Sequence, residues 1–494
     1  MRFLDDLGSI IIITNATTGT GKFPNSDSCA CSRKPHAPRQ TPIPPLVIMN
    51  PKQRLWPWKK NALSFKPKQH RDTQFKTKAD RNPLLLPEIA FAVCEYLANA
   101  DLHSLCLSCR SLFHPAVRRL WRHIRIRDNE KLLRLERTLA RNDTSSADYP
   151  AFVHVFECHF HVQAKDFKHF LFPNLCSALI FPPYLAPSAP IATYFPMLHL
   201  ACPNLVDVVC RSSMSQDFER CLLDIPHNQL RTLGMWGSSP FVGLGAVVRN
   251  HRVSLRRVQL NRADAVVLLA LTECTELREI IYNTDPPFWD SDRDALTAFC
   301  TAPAVAKLTR LCSRNWFDLQ DRHLAAVART SGVNLVCVRL LGSPRFRDSF
   351  KVLAHHCPNL EILDADAMEQ SDLEDIITRC RRLKELHVQN NIFWAINCLR
   401  PLIDLPPYTH TLEVLNLRRF NIDSHFARRL LMELPRLSQF TPGEGCSQSD
   451  VNWLVKSLKK KMGREAFRVG PLGVTIFRIG TKGRFFDWDA PWIE

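Results

Sequence analysis

One phrase returns through most of this chain: a leucine, two variable residues, then two apolar positions separated by a single residue. It reads CPNLVDVVC from Cys202, HNQLRTLGM from His227, RVSLRRVQL from Arg252 and CTELREIIY from Cys274. Farther on come VAKLTRLCS, GVNLVCVRL, CPNLEILDA from Cys357, CRRLKELHV from Cys380, THTLEVLNL and LPRLSQFTP. The leading leucines stand at 205, 230, 255, 277, 308, 335, 360, 383, 412 and 437, so nine intervals cover 232 residues, close to 26 apiece. A unit of that length cannot bury its own apolar face, so the period demands stacked neighbours rather than one closed core.

Between the phrases lie short helical patterns such as SDLEDIITRC and SFKVLAHHC. Each phrase then supplies one strand, with the intervening helix packed outside. The predicted fold class is an α/β solenoid whose parallel sheet lines a horseshoe, and it resembles the leucine-rich repeats, in particular their cysteine-containing class. Weaker copies start at PAFVHVFECHF and FPNLCSALIF, so repeats are expected over residues 140–470, about 10 to 12 rungs. Pro286–Asp290 and Pro401–Tyr408 read as loop insertions. Cys202, Cys274, Cys357 and Cys380 each precede a leading leucine by three residues, a recurrence that marks a packing position. Cys106 and Cys109 form a lone C-x-x-C pair, short of the four ligands structural zinc takes, and read as core thiols. His159 and His161 share one face of an expected strand, but no metal site and no cofactor is expected.

Ahead of the repeats, LPEIAFAVCEYL places Ile89, Val93 and Leu97 four residues apart on one helical stripe, with Pro87 in the first turn. NADLHSLCLSCRSLF follows, capped by Asn99 or Asp101, with Leu102, Leu105, Cys106 and Cys109 on one face. Pro115 opens a third helix, PAVRRLWRHI, with Val117, Leu120, Trp121 and Ile124 apolar and Arg118, Arg119 and Arg122 outward. Three such helices over residues 83–126 are too small to hold a core alone. The stretch Leu86–Ile124 resembles an F-box. The resemblance lies in LPEI, Val93 with Tyr96–Leu97, ADL at Ala100–Leu102, Leu105, SCRSLF at Ser108–Phe113 and LW at Leu120–Trp121. Leu112–Phe113 stands where the family commonly has Trp. The resemblance implies docking to a Skp-type adaptor, and through it to a cullin-RING ubiquitin ligase. Leu86, Pro87, Ile89, Val93, Leu97, Leu105 and Trp121 are then the adaptor-binding candidates. The alternative is a plain helical cap on the end of the repeats.

Of the formal charge of +17, residues 1–82 supply +10, from 15 Lys and Arg against 5 Asp and Glu. This stretch has no sustained apolar period and reads as a disordered basic leader, with a nuclear address or a weak polyanion contact as its functional alternatives. IIIITNATTGTGKF imitates a phosphate loop, but Ala16 takes the first glycine position and Phe23 the hydroxyl position. Met1–Thr14 is too short an apolar run for a secretory leader, and no stretch reaches the ~20 apolar residues of a membrane span. A reducing compartment, cytoplasm or nucleus, is expected for the thiols.

In L-x-x-L-x-L the variable positions around the strand leucines face the concave surface. That assigns the target-binding candidates Trp236, Arg310, Arg314, Arg339, Asp364, Asp366, His387 and Arg418, alongside Arg257, Gln259, Asn261, Glu279, Glu385 and Asn416. Arg310, Arg314 and Arg339 fall on adjacent rungs, where a basic patch would suit an acidic or phosphorylated segment, but the preferred reading is a solvated mixed-charge surface. Asp364 and Asp366 share a face with no complementary group evident, so no catalytic residues are assigned. Residues 471–494 break the period: Val474–Ile479 reads as a strand, and Phe485, Phe486, Trp488 and Trp492 are expected to cap the solenoid's open end. The sequence thus points to the non-catalytic substrate receptor of an SCF-type ubiquitin ligase binding an unknown target protein. The alternatives are a repeat scaffold for protein or RNA, and a nucleic-acid binder acting through residues 1–82.

Overall fold

All ten leading leucines are buried, and the side chains three and five places after each go inward with them, so each rung lays a mostly apolar layer on the last. A computed structural model of the chain describes residues 86–140, 149–159, 172–180, 202–210, 216–236, 243–261, 263–283, 290–314, 319–341, 348–365, 368–388, 399–404, 411–417, 422–442, 447–462, 467–469 and 476–478. The leader, Asp366, Arg418 and the four aromatic residues from Phe485 to Trp492 lie outside them. Three helices open the described chain: α1 (Pro87–Tyr96), α2 (Asn99–Ser108) and α3 (Arg110–Trp121). The sheet then begins with β1 (His123–Ile126), β2 (Val155–Cys158), β3 (Ser177–Ile180), β4 (Asp207–Cys210) and β5 (Thr232–Met235). It continues through β6 (Arg257–Leu260), β7 (Glu279–Asn283), β8 (Arg310–Arg314), β9 (Cys337–Leu341) and β10 (Ile362–Ala365). β11 (Glu385–Val388), β12 (Val414–Asn416) and β13 (Gln439–Thr441) complete the run, followed by β14 (Phe467–Val469) and β15 (Ile476–Arg478).

From β1 to β13 each strand pairs in parallel with its sequence neighbour, the topology a stacked repeat requires. From β4 onward a helix separates each pair of consecutive strands through β13. Local chemistry starts several of these helices: the Asp264 carboxylate accepts from Val267 N at 2.9 Å, and Asp423 from Phe426 N at 2.7 Å. The residue just before a leading leucine repeatedly ties one rung to the previous one. Asn174, Asn204, Asn334 and Asn359 donate to the carbonyls of Ala151, Pro173, Ala306 and Val333 at 2.7–2.9 Å. Ser254 and Thr411 do the same to Leu230 and Leu383.

The cysteine rows pack as the register requires. Cys202, Cys274, Cys357 and Cys380 are buried and free; Cys380 Sγ lies 3.7 Å from Cys357 O, and Cys357 Sγ 3.8 Å from Ala328 O. Burial pushes the Cys274, Cys357 and Cys380 thiols up to about 12. One apolar cluster runs from Cys94 and Trp121 in the helices to Ile476 in β15.

Two boundaries differ from the sequence expectation. α3 starts at Arg110 with Leu112 N bonded to Cys109 O at 3.2 Å, leaving Pro115 inside the helix at the loss of one backbone hydrogen bond. The sheet starts at His123, so Ile124 belongs to a strand; His154 N and Val155 N both bond Arg122 O at 2.9 Å and draw the chain after α3 into the ladder. At the other end, β15 pairs antiparallel with β13 and β14 with β15, covering the last parallel edge. No described helix is long and apolar enough to cross a membrane.

Candidate functional site

α1 presents two stripes. Ala90 and Cys94 are buried and Leu97 packs against the same core, whereas Leu86, Ile89, Val93 and Tyr96, spaced three, four and three residues apart, line the outer side. Tyr96 keeps 91% of its surface exposed, Leu86 53% and Ile89 37%, and on α2 Leu107 keeps 59%. Val93 and Leu105 are half-buried. The expected stripe Ile89–Val93–Leu97 is therefore split. The small Ala90 and Cys94 side chains let α1 sit close against its neighbours, which turns the larger residues outward. Glu95 holds α1 to α3 through Arg119 at 3.2 Å and Arg122 at 2.9 Å.

Trp121 requires a correction. It is buried, its ring centroid 4.8 Å from that of Tyr149, so it supports the join between helices and sheet and offers no surface to a partner. Pro87 is exposed beside Leu86. Tyr96 and Leu107 are surface groups that a search for core-facing residues passes over; the spacing 86, 89, 93, 96 is the signal that marks Tyr96.

The sheet face opposite the helices carries the residues two and four places after each leading leucine. In register, one row runs Arg257, Glu279, Arg310, Cys337, Ile362, Glu385, and the next Gln259, Ile281, Cys312, Arg339, Asp364, His387, Asn416. Carboxylates stand beside Arg310 and Arg339, so this part of the face is mixed in charge rather than a purely basic patch. Arg310 lies 3.9 Å from Glu279, which Arg257 approaches at 3.6 Å, and Arg339 is 1% exposed with its Nη2 3.2 Å from Glu385. Neighbouring strands bring these carboxylates alongside, a cross-rung proximity that a single phrase does not display. The same register places buried Asp364 between Arg339 and His387, so it does have complementary groups beside it. His387 Nε2 is 3.9 Å from Glu385. Trp236 is half-buried just past β5, and of Arg314 the backbone alone is described, in register with Asn283 and Leu341.

Near the first rungs the buried Glu157 carboxylate meets His123 at 3.0 Å, Arg125 at 2.5 Å and His159 at 2.5 Å. Burial alone would raise its pKa, but the three partners outweigh burial and hold it well below the usual carboxylate range. Among the described residues no group of three or more His, Cys, Asp or Glu could hold a metal ion.

No protein-family model and no curated protein matches the chain. Among solved structures it is similar to an internalin, InlF, of Listeria monocytogenes, at 13% identity and a TM-score of 0.36, covering 72% of this chain and 93% of that one. It is also similar to the yeast complex of Rad7 and Elc1, at 14% identity and a TM-score of 0.41, covering 71% and 86%. Likeness at this level says nothing of what the chain binds.

Proposed function

We propose that the chain is the substrate-recognition subunit of an SCF-type cullin-RING ubiquitin ligase, performing no bond chemistry itself. In this reading α1 and α2 dock a Skp-type adaptor, and the repeat sheet holds a target protein at high local concentration beside the ubiquitin-charged enzyme. The observation that carries it is the outer stripe of α1: Leu86, Ile89 and Tyr96 are large apolar groups left in water, with half-buried Val93 between them, on a helix whose other side is already packed. Desolvating such a stripe drives association, with a few large side chains dominating. The F-box resemblance of Leu86–Ile124 supplies the adaptor class.

A second reading is a scaffold without a ligase, whose helices only cap the first rungs; it is favoured by the single cluster that joins Trp121 to the sheet. Affinity capture with a Skp-type adaptor separates the two. The full chain is expected to retain the adaptor, and the double substitution Ile89→Asp, Tyr96→Asp to lose it while melting like the parent. If the parent fails where an established F-box protein succeeds, the scaffold reading replaces the ligase one.

A further inference from the structure

Trp453 stands on the helix Gln448–Met462, whose inner side, Val451, Leu454 and Val455, is buried in the core, yet it keeps 40% of its own surface exposed. The preceding helix, Ser424–Glu433, supports the indole from one side. The Arg428 guanidinium carbon lies 5.8 Å from its centroid, and the His425 ring also 5.8 Å away. Lys456 and Lys460 follow Trp453 by three and seven residues, so the three share one side of the helix over ~10 Å of its length. Both lysines are exposed, and among the described residues neither meets a carboxylate. The acids nearby are engaged elsewhere. Asp450 Oδ2 accepts from Ser447 N at 2.9 Å and from Ser447 Oγ at 2.6 Å, capping the helix, and Asp404 lies 3.7 Å from Arg429, toward the rung before.

We propose that this edge of the last rungs binds a single-stranded nucleic acid, one base stacking on the open part of the Trp453 ring while Arg428, Lys456 and Lys460 hold backbone phosphates. An unpaired base offers the ring a π-face, which a base inside a duplex does not. An acidic peptide would engage the lysines without needing the indole. A lipid surface would take up the apolar side of a basic helix, and here that side is already buried against the rungs. The site is at the opposite end of the sheet from the three opening helices, so the proposal holds whether or not they dock an adaptor.

Fluorescence anisotropy of a labelled oligothymidylate of ~12 nucleotides tests it on the full chain. The +10 charge of residues 1–82 attracts any polyanion, so the comparison of parent with variants, and of oligothymidylate with base-free polyglutamate, carries the result. Trp453→Ala should weaken oligothymidylate binding about tenfold, and Trp453→Phe should recover most of it. Neither should change the affinity for polyglutamate. The pair Lys456→Gln, Lys460→Gln should weaken oligothymidylate binding and lower its salt slope by ~1.4. Should Trp453→Ala also lower the urea midpoint, ultraviolet crosslinking of the parent to oligothymidylate decides in its place, with the adduct expected on the peptide that holds Trp453. Adducts confined to residues 1–82, no binding by the parent, or an unchanged affinity in a folded Trp453→Ala chain overturns the proposal. Equal losses for oligothymidylate and polyglutamate overturn it too, and would mark a surface for acidic peptides.

Discussion

His251 shows how one buried titratable side chain ties this fold to pH. Its ring is fully buried, its Nδ1 accepts from Leu230 N at 3.5 Å, and its backbone carbonyl accepts from Ser254 N and Leu255 N. Burial lowers its pKa to about 4, far below the ordinary 6.5. The unfolded chain therefore takes up a proton first, so the stability held above pH 6.5 is lost as pH falls from 6.5 towards 4. The fold should lose about 1–2 kcal/mol from this residue between pH 6.5 and 5. Denaturant melts at the two pH values check it: His251→Gln should be less stable at pH 7 and show a smaller loss on acidification. Equal losses in parent and variant would remove the assignment. Nothing in the residues flanking His251 announces this, because the acceptor role depends on Leu230, one rung away. The partners of Arg339 and Asp364 escaped notice for the same reason: they come from other strands, Glu385 lying 46 residues from Arg339, and only the register joins them.

At the scale of the element, the repeat period made the strands legible. Leucines at a fixed interval can be buried together in just one way, and even the degenerate copies at Val155–Cys158 and Ser177–Ile180 are strands. The polar residue just before the leading leucine was equally visible, in CPNL and GVNL, but its purpose was not. Its amide or hydroxyl reaches a carbonyl of the previous rung, a bond that exists once two rungs are stacked. Asn359→Ala removes the 2.8 Å bond to Val333 O and should cost about 1 kcal/mol, less than a buried bond because the site is exposed. Asn359→Gln should recover little, since the longer side chain overshoots that carbonyl. Urea midpoints at constant slope would measure both, and an unchanged midpoint in Asn359→Ala would show the stitch to be ornamental. Helix α1 was harder to orient. Amphipathic spacing gave a helix, yet the buried side holds Ala90 and Cys94 while Tyr96 is outside, because close approach here outweighs apolar bulk.

On the scale of the whole molecule, the helices and the first rungs share side chains, and this decides how the chain can be dissected. Cys94, Leu102, Cys106, Val117, Leu120 and Trp121 belong to the same buried cluster as Tyr149 and Phe156. Deleting residues 86–121 to abolish docking would therefore also strip the first layer of the solenoid. Losing Trp121 alone should cost about 3–5 kcal/mol, the range for a large buried aromatic truncated to alanine. Stacked repeats are coupled chiefly to their neighbours, so the damage should stay local. Hydrogen exchange on the deleted chain should show lost protection in β1 and β2 while β8 to β11 keep theirs. Ile89→Asp sits on the exposed stripe and should change global stability by no more than about 0.5 kcal/mol. The two variants separate docking from capping: an adaptor lost by both, with the fold intact only in Ile89→Asp, belongs to the exposed stripe. If Ile89→Asp instead loosens β1 and β2 as the deletion does, that stripe is part of the cap.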